Sequence, residues 1–155
     1  MEKLQLKNGL LTTYINNFDF DNPPVDPGTL TIELYKFMLE NNGIGLAANQ
    51  VGLNYRVFVM YPAIVCFNPR VILYSQQYSL KEEHCLSYPG LAVKVKRASN
   101  VFTSYQNVSG EFVSRSFDGM HSHVFQHEMD HLNGKVHLDK ASRANIIEAR
   151  KVTIH

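Results

Sequence analysis

The chain has 155 residues, 45% of them apolar, and its 15 Lys and Arg nearly cancel 14 Asp and Glu. These values predict a globular protein with one domain, residues 1–155, built on a single core. The balanced charge argues against nucleic acid or an acidic membrane as a partner, and no apolar stretch approaches the roughly 20 residues of a membrane span.

The N-terminus lacks the apolar region of a secretory signal, so the sequence predicts a cytoplasmic protein. Its two cysteines, Cys66 and Cys85, are too few for a disulfide framework. In a reducing compartment a cysteine is expected to be buried or to bind a metal.

The first predicted helix follows a weakly patterned segment, residues 1–25. Asp26 is a typical helix N-cap, and Pro27 suits the first helical position. Gly43 is the predicted C-terminal cap. Apolar residues recur at helical spacing between these ends, at Leu30, Leu34, Phe37 and Met38.

Extended segments follow, because β-branched and aromatic residues dominate from residue 55 onwards. They are residues 55–61, 63–67, 71–80, 91–106 and 111–117. The sequence Asn-Pro-Arg at 68–70 is expected to break the second from the third, and the turn at 107–110 to join the last two as a β-hairpin. Residues 82–90 are predicted to form a functional loop, and the basic run 94–97 the solvated face of a strand.

A second helix is predicted from about Gly119 to Asn133 and Gly134, and a short terminal helix at 139–150. The second helix carries His127, Glu128 and His131 in the pattern His-Glu-x-x-His. Positions i and i+4 share one helical face, so both imidazoles can bind one metal ion, with the glutamate close by as a base. The alternative is an amphipathic helix whose histidines simply pack or face water.

A catalytic metal site of this kind needs a third protein ligand and an open position. His137 is the nearby candidate, because the motif continues as x-x-Gly-x-x-His in the manner of metzincin endopeptidases. Those enzymes carry a methionine turn further along the chain, whereas the last methionine here is Met129, inside the motif. We therefore reject His137 as a ligand and interpret it as a surface residue.

Cys85 is the other candidate for the third ligand. It lies among Glu, His, Ser and Pro residues, a setting that core packing explains poorly. Cys66 lies in an apolar strand, where packing explains it well. The contrast favours Cys85 as a thiolate ligand.

Three stretches together resemble the motifs of the peptide deformylase family. "GIGLAANQ" (43–50) is similar to its first motif, "EHCLS" (83–87) to its second, Glu-Gly-Cys-Leu-Ser, and "QHEMDHL" (126–132) to its third. Their order and spacing also fit. The resemblance implies an α+β fold of antiparallel β-sheets around a central metal-binding helix, and an enzyme that removes the formyl group from the N-terminal formyl-methionine of newly made polypeptides.

The resemblance also implies roles for residues. Cys85, His127 and His131 would bind the metal, with Glu128 as general acid and base. Gln50 would supply a side-chain amide, and Leu86 a backbone N–H, to the formyl oxygen.

The substrate peptide is expected to bind as an added strand, helped by the close backbone approach that Gly45 allows. Ile44 and Val124 are the candidate walls of the methionine pocket, although both could be plain core residues. His84 replaces the family's glycine, and if that position needed a positive φ the histidine would strain the backbone and narrow the groove.

The implied cofactor is one divalent metal ion, iron(II) in the cell, with Zn²⁺, Ni²⁺ or Co²⁺ able to occupy the same ligands. The implied partners are formyl-methionyl nascent peptides, with association with the ribosome, a monomeric state, and a bacterial, phage-infected or organellar setting as further expectations. Two alternatives remain open at this point: a zincin-type metalloendopeptidase that uses His137 or a carboxylate as third ligand, and a non-enzymatic relative that binds nascent chains.

Overall fold

The helix that Asp26 begins has the predicted start. In the computed structural model, which describes residues 2–142 and residue 144, helix α1 spans Pro27–Glu40. The Asp26 carboxylate accepts a hydrogen bond of 2.8 Å from the Thr29 backbone N–H, and Pro27 occupies the first turn. The buried face consists of Leu30, Leu34 and Met38.

The end of α1 differs from the prediction. Asn42, and not Gly43, adopts the left-handed conformation, with φ of 58°. The Gly43 N–H donates to Met38 O at 2.9 Å and the Asn42 N–H to Leu39 O at 3.1 Å, which together close the helix as a Schellman motif. Gly43 has a different role: it packs closely against Leu86, because a Cβ there would lie 2.9 Å from Leu86 Cδ1 and would displace that side chain.

The strands form two antiparallel sheets, as the resemblance implied. The first sheet has the order β1-β2-β3-β6-β7 and the second contains β4 and β5. The strands are β1 (Gly45–Ala47), β2 (Val57–Met60), β3 (Ile64–Tyr74), β4 (Tyr78–Cys85), β5 (Tyr88–Ala98), β6 (Asn100–Gln106) and β7 (Phe112–Asp118). The predicted hairpin at 107–110 is confirmed, and it joins β6 to β7.

Helix α2 (Gly119–Leu132) occupies the centre of the molecule and contacts strands of both sheets. The strand β2 is buried on both sides, with Val57 and Val59 facing α1 while Phe58 and Met60 face α2. Phe125 of α2 packs edge-on against Phe58, with ring centroids 5.0 Å apart. The central metal-motif helix predicted for this fold class is therefore confirmed.

The predicted break at residues 68–70 is wrong, because β3 continues through it with an irregularity in its pairing to β6. Asn68 has a positive φ of 49°. At this irregularity its side chain makes hydrogen bonds to the backbone of another segment. Its Oδ1 accepts from the Phe18 N–H at 2.6 Å, and its Nδ2 donates to Phe18 O at 2.9 Å. The N-terminal segment, which had no clear sequence pattern, is thereby attached to the sheet.

Most of residues 82–90, which were predicted to form a functional loop, belong to strands instead. Strand β4 runs as far as Cys85 and β5 starts at Tyr88, so only Leu86 and Ser87 form the turn. His84 pairs with Ala92, whereas the next residue, Cys85, pairs with Tyr88. The residues of β5 between Tyr88 and Ala92 therefore form a bulge. Cys85 is therefore held at the end of a strand.

The basic run 94–97 is only partly solvated. Lys94 and Lys96 are exposed, whereas Arg97 points inward and is 5% exposed. At the end of α2, Asn133 and Gly134 follow as predicted. Residues 137–140 form a 3-10 turn, and most of the predicted terminal helix at 139–150 lies outside the described residues. None of the helices in the described part of the chain is long and apolar enough to traverse a membrane.

Candidate active site

Cys85, His127 and His131 converge at the end of β4 and on one face of α2. Cys85 Sγ lies 3.3 Å from His131 Nε2, which lies 3.1 Å from His127 Nε2. All three donor atoms are within 4.8 Å of one another, and all three residues are buried. Three ligands at tetrahedral angles around one ion would be separated by about 3.3–3.6 Å, given metal–nitrogen and metal–sulfur bonds of about 2.0–2.3 Å. The donor set and its spacing therefore fit a divalent metal ion.

Glu83 fixes the orientation of His127. Its Oε1 lies 2.8 Å from His127 Nδ1, which leaves His127 Nε2 on the side of Cys85 Sγ and His131 Nε2. Arg97 donates to the same carboxylate from Nε at 2.5 Å and from Nη2 at 2.9 Å, and from Nη1 to Asp130 Oδ2 at 2.7 Å. A carboxylate that orients a ligand imidazole is a recurrent element of metal sites.

Neither Glu83 nor Arg97 was assigned a role by sequence analysis. The alternation of β4 contains the signal for Glu83, because it shares the buried face of that strand with Cys85. Arg97 likewise shares the buried face of β5 with Val93 and Val95, and a buried arginine requires anionic partners.

The electrostatics of this cluster favour a cation. Burial alone would raise the pKa of Glu83, but the neighbouring imidazoles of His123 and His127 and the Arg97 guanidinium hold it well below its usual range. For His127, burial acts to lower the pKa, and the hydrogen bonds with Cys85 and Glu83 outweigh it, raising the pKa to about 10. Burial and the positive charge of His127 keep the pKa of His131 well below its usual value. The surroundings stabilise positive charge at His127, which a bound metal would supply in place of a proton.

Glu128 is buried beside the ligands, with 3% of its surface exposed. Its Oε1 has no hydrogen-bond partner within the described chain, which is unusual for a buried carboxylate. Burial raises the pKa of Glu128 to about 7, although the charge of His127 opposes this. Gly45 makes room for the carboxylate, because a Cβ at that position would lie 2.5 Å from Oε2. A buried carboxylate with a raised pKa next to a cavity is a candidate acid–base group.

Gln50 is held in one orientation next to Cys85. Its Oε1 accepts a hydrogen bond of 2.9 Å from the Ala47 N–H, which closes the local turn. Its Nε2 lies 3.1 Å from Ser87 Oγ and 3.6 Å from Cys85 Sγ. The turn therefore directs the amide donor toward the ligand cluster. Leu86 follows Cys85 directly and, like Gln50, lines the cavity that adjoins these residues.

The interpretation of His137 as a surface residue is wrong. It is fully buried, with its ring centroid 5.8 Å from that of His127 and 5.7 Å from that of Tyr88. Burial lowers its pKa. Its side chain nevertheless stays outside the group of three ligand atoms.

A cavity of about 500 Å³ opens from the ligand cluster. Ile44, Gly45 and Val124 contribute to its walls, as does His84. Ile44 is 53% exposed and Val124 is 8% exposed, so the first lies at the mouth and the second lies deeper. Residues of α2 that sequence analysis did not select, Met120 and His123, also line the cavity.

His84 does not have the strained backbone that its replacement of glycine would have implied. It lies in β4 opposite Ala92, and its φ is not positive. Its side chain is 73% exposed, and Nε2 lies 3.3 Å from Glu82 Oε1. Because neighbouring side chains alternate along a strand, His84 and Glu82 point to the outer face of β4 while Glu83 and Cys85 point inward.

An α+β fold with a buried Cys-His-His cluster and an adjacent glutamate is the arrangement expected of a metal-dependent hydrolase. Comparison with known proteins identifies the family. The polypeptide deformylase family model matches residues 4–146. Peptide deformylase from Thermotoga neapolitana is 41% identical over 125 residues, which cover 78% of this chain and 76% of that protein.

Solved structures agree with this result. The crystal structure of a plant peptide deformylase, PDF1B, superposes with a TM-score of 0.89 at 30% identity, covering 97% of this chain and 87% of that one. The enzyme from Synechococcus elongatus in complex with actinonin gives a TM-score of 0.84 at 31% identity, covering 96% and 84%.

The chain therefore belongs to the polypeptide deformylase family, whose members are metal-dependent hydrolases that remove the formyl group from the N-terminus of nascent peptides. This confirms the resemblance and the enzyme class, and it removes the endopeptidase and non-enzymatic alternatives.

Proposed function

We propose that this site hydrolyses the formyl amide of formyl-methionyl peptides with the residues that the sequence singled out. The observation that carries the proposal is the convergence of Cys85, His127 and His131 beside Glu128, whose Oε1 has no hydrogen-bond partner among the described residues. Cys85, His127 and Glu128 also line one cavity. Within this scheme residues 1–155 act as one catalytic domain.

A metal bound by these three ligands would polarise the formyl carbonyl and make water a stronger nucleophile at neutral pH. Glu128 accepts a proton from the attacking water and then donates a proton to the amine that leaves. The raised pKa of Glu128, about 7, matches both halves of this task, because an acid–base group works best near the pH of the reaction.

Two donors stabilise the oxygen of the formyl group as it gains negative charge. Gln50 Nε2 is directed at the site because its own Oε1 is tied to Ala47. The Leu86 N–H comes directly after the ligand Cys85, so its position is tied to that of the metal. Preorganised donors of this type are worth roughly 3–4 kcal/mol each in comparable enzymes.

The substrate peptide binds as a strand between the two sheets. Among the described residues, β1 is an edge strand of the first sheet and β4 pairs only with β5, so both present an unpaired edge. Residues of both, Gly45 and His84 among them, line the cavity. Because β4 runs toward Cys85 and the formyl end must lie at the metal, the peptide runs antiparallel to β4. Backbone pairing of this kind demands little of the sequence, as an enzyme for many nascent chains requires.

The first side chain of the peptide, methionine, points inward between Ile44 and Val124. The second points outward on the face that carries His84. Ile44 and Val124 thus serve as substrate-binding residues, and His84 contacts the following residue.

Iron(II) is the proposed ion in the cell, with Zn²⁺, Ni²⁺ and Co²⁺ as substitutes, because cysteine and histidine ligands accept all four. The enzyme is further proposed to act as a monomer on chains emerging from the ribosome. Its setting is the cytoplasm of a bacterium or of a phage-infected host, or an organelle. A net charge of +1 supports recognition of the peptide without direct binding to nucleic acid.

The test is kcat/KM on matched formyl-Met and acetyl-Met peptides, with metal analysis of the same anaerobic preparation. The wall at Gly45 is closely packed, because a Cβ on that residue would lie 2.5 Å from Glu128 Oε2 and 2.9 Å from Val124 Cγ1. We therefore expect the formyl preference to exceed roughly 200-fold, the upper value for a methylene in an adaptable pocket. Comparable rates on the two peptides, or casein cleavage that Glu128→Ala abolishes, would contradict the proposal.

A further inference from the structure

His123 is a buried polar residue in the wall of the substrate cavity for which the proposed mechanism has no use. It lies one helical turn before His127 on α2, and only 2% of its surface is exposed. Val124, its neighbour, is a proposed wall of the methionine pocket, and both residues line the same cavity. A histidine in an apolar pocket requires a physical reason, because an unsatisfied polar ring there would be costly.

Both ring nitrogens of His123 face strand β4, although only Nε2 makes a hydrogen bond there. Nε2 lies 2.8 Å from Ser79 Oγ, and Nδ1 faces Glu83 Oε2 at 3.5 Å. Ser79 and Glu83 lie on the inner face of β4, four residues apart, so the ring is held between the strand and α2. The polar atoms are thus directed at the protein, and what the ring offers to the cavity is its carbon face and edge.

The substrate side chain that enters this cavity is methionine, if the proposed function holds. Its thioether sulfur is polarizable and makes favourable contacts with aromatic rings at about 5 Å. Val124 and Ile44 cannot distinguish sulfur from a methylene group of similar size, whereas an imidazole held in one orientation can.

We infer that His123 is a specificity-determining residue that presents its ring to the sulfur of the first substrate residue. This inference rests on the proposed function and adds to it the reason why methionine is preferred over an unbranched hydrocarbon side chain. Sulfur–aromatic contacts of ordinary strength correspond to a preference of about two- to ten-fold.

The experiment compares kcat/KM for formyl-Met-Ala-Ser and formyl-norleucine-Ala-Ser, which differ only by sulfur against methylene. The ratio of the two values within one preparation does not depend on the fraction of folded, metal-loaded enzyme. Wild-type enzyme is expected to favour methionine by about two- to ten-fold, and His123→Leu to bring the ratio close to one.

Two further variants separate the ring from its hydrogen bonds. His123→Phe keeps an aromatic face but loses the partners Ser79 and Glu83, and it is expected to retain the preference. His123→Asn keeps a polar group but has no ring, and it is expected to lose the preference. These two variants decide the question even where His123→Leu fails to fold.

A wild-type ratio of one would overturn the inference, as would an unchanged ratio in His123→Asn. In both cases cleavage of formyl-Met peptides would leave the proposed function standing. Failure of the metal-loaded wild-type enzyme to cleave either peptide would instead overturn the proposed function and this inference with it.

Discussion

The closed end of the cavity and its rim differ in the burial of their side chains and in the number of contacts that hold them. At the closed end, Cys85, His127 and Glu83 are buried and each is held by a neighbour across 2.8 to 3.6 Å. At the rim, His84 and Ile44 are largely exposed, and His84 has one contact of 3.3 Å to the exposed Glu82. Changes at the closed end should therefore disturb the metal and the chemistry, whereas changes at the rim should alter only how the peptide is held.

The largest effect is expected from replacing Cys85 at the closed end, with Cys66 as the matched control. Both Cys85 and Cys66 are buried and free, but Cys66 lies in the core among apolar residues. Burial raises the pKa of Cys66, which keeps it a neutral thiol. Cys85→Ser should lose the metal and with it nearly all activity, while Cys66→Ser should retain both. Metal content and formyl-Met peptide turnover of the two proteins measure this, and equal metal loss in both would remove Cys85 from the ligand set.

Glu128→Ala should keep the metal and lose turnover. The expected loss is at or beyond the roughly 10²–10⁴-fold typical of general acid–base groups, because Glu128 also positions the water. The metal should remain because the three ligands and their partner Glu83 are untouched. Turnover near that of the wild type in a metal-loaded sample would exclude Glu128 as the acid–base group.

Glu83→Gln tests the orienting carboxylate, with Glu82→Gln as a matched control on the exposed face of the same strand. Loss of the carboxylate should weaken metal binding or activity by about 10- to 100-fold, the range found for partners of ligating histidines. It should also lower the free energy of unfolding by about 3–5 kcal/mol, because the buried Arg97 loses a partner. Competition with a chelator and denaturant unfolding measure the two effects. Equal behaviour of the Glu83 and Glu82 variants would show that the buried network does not support the metal.

Local patterns in the sequence were sufficient for much of this molecule. Three features follow from spacing along one segment: helices α1 and α2, the hairpin at 107–110, and the face shared by His127 and His131. The local setting of Cys85 already favoured it as a ligand, and the three motifs added Gln50. No local pattern could show that the two side chains lie close together in space.

What sequence analysis missed depends on contacts between distant segments. Arg97 seemed solvated because its neighbours Lys94 and Lys96 are, and only its pairing with Glu83 and Asp130 explains its burial. His137 seemed exposed because it follows a helix end, yet the chain folds back and places it beside His127. The break expected at residues 68–70 failed for the same reason, since the Asn68 side chain bonds to Phe18, 50 residues away.

The smallest expected effect concerns the rim. His84 has an extended backbone that any residue adopts, so His84→Gly relieves no strain and removes only a side chain from the outer face of the groove. We expect kcat/KM on a formyl-Met peptide to change by less than about five-fold, since a cross-strand side-chain pair is worth roughly 0.2–1 kcal/mol. The change should depend on the second residue of the peptide, because that side chain is the one beside His84. A series of formyl-Met-X peptides, with X as Gly, Ala, Phe and Asp, measures both quantities in the wild type and the variant. If His84 instead narrowed the groove, the variant would be faster on every peptide, and a uniform gain of ten-fold or more would show that the histidine obstructs binding.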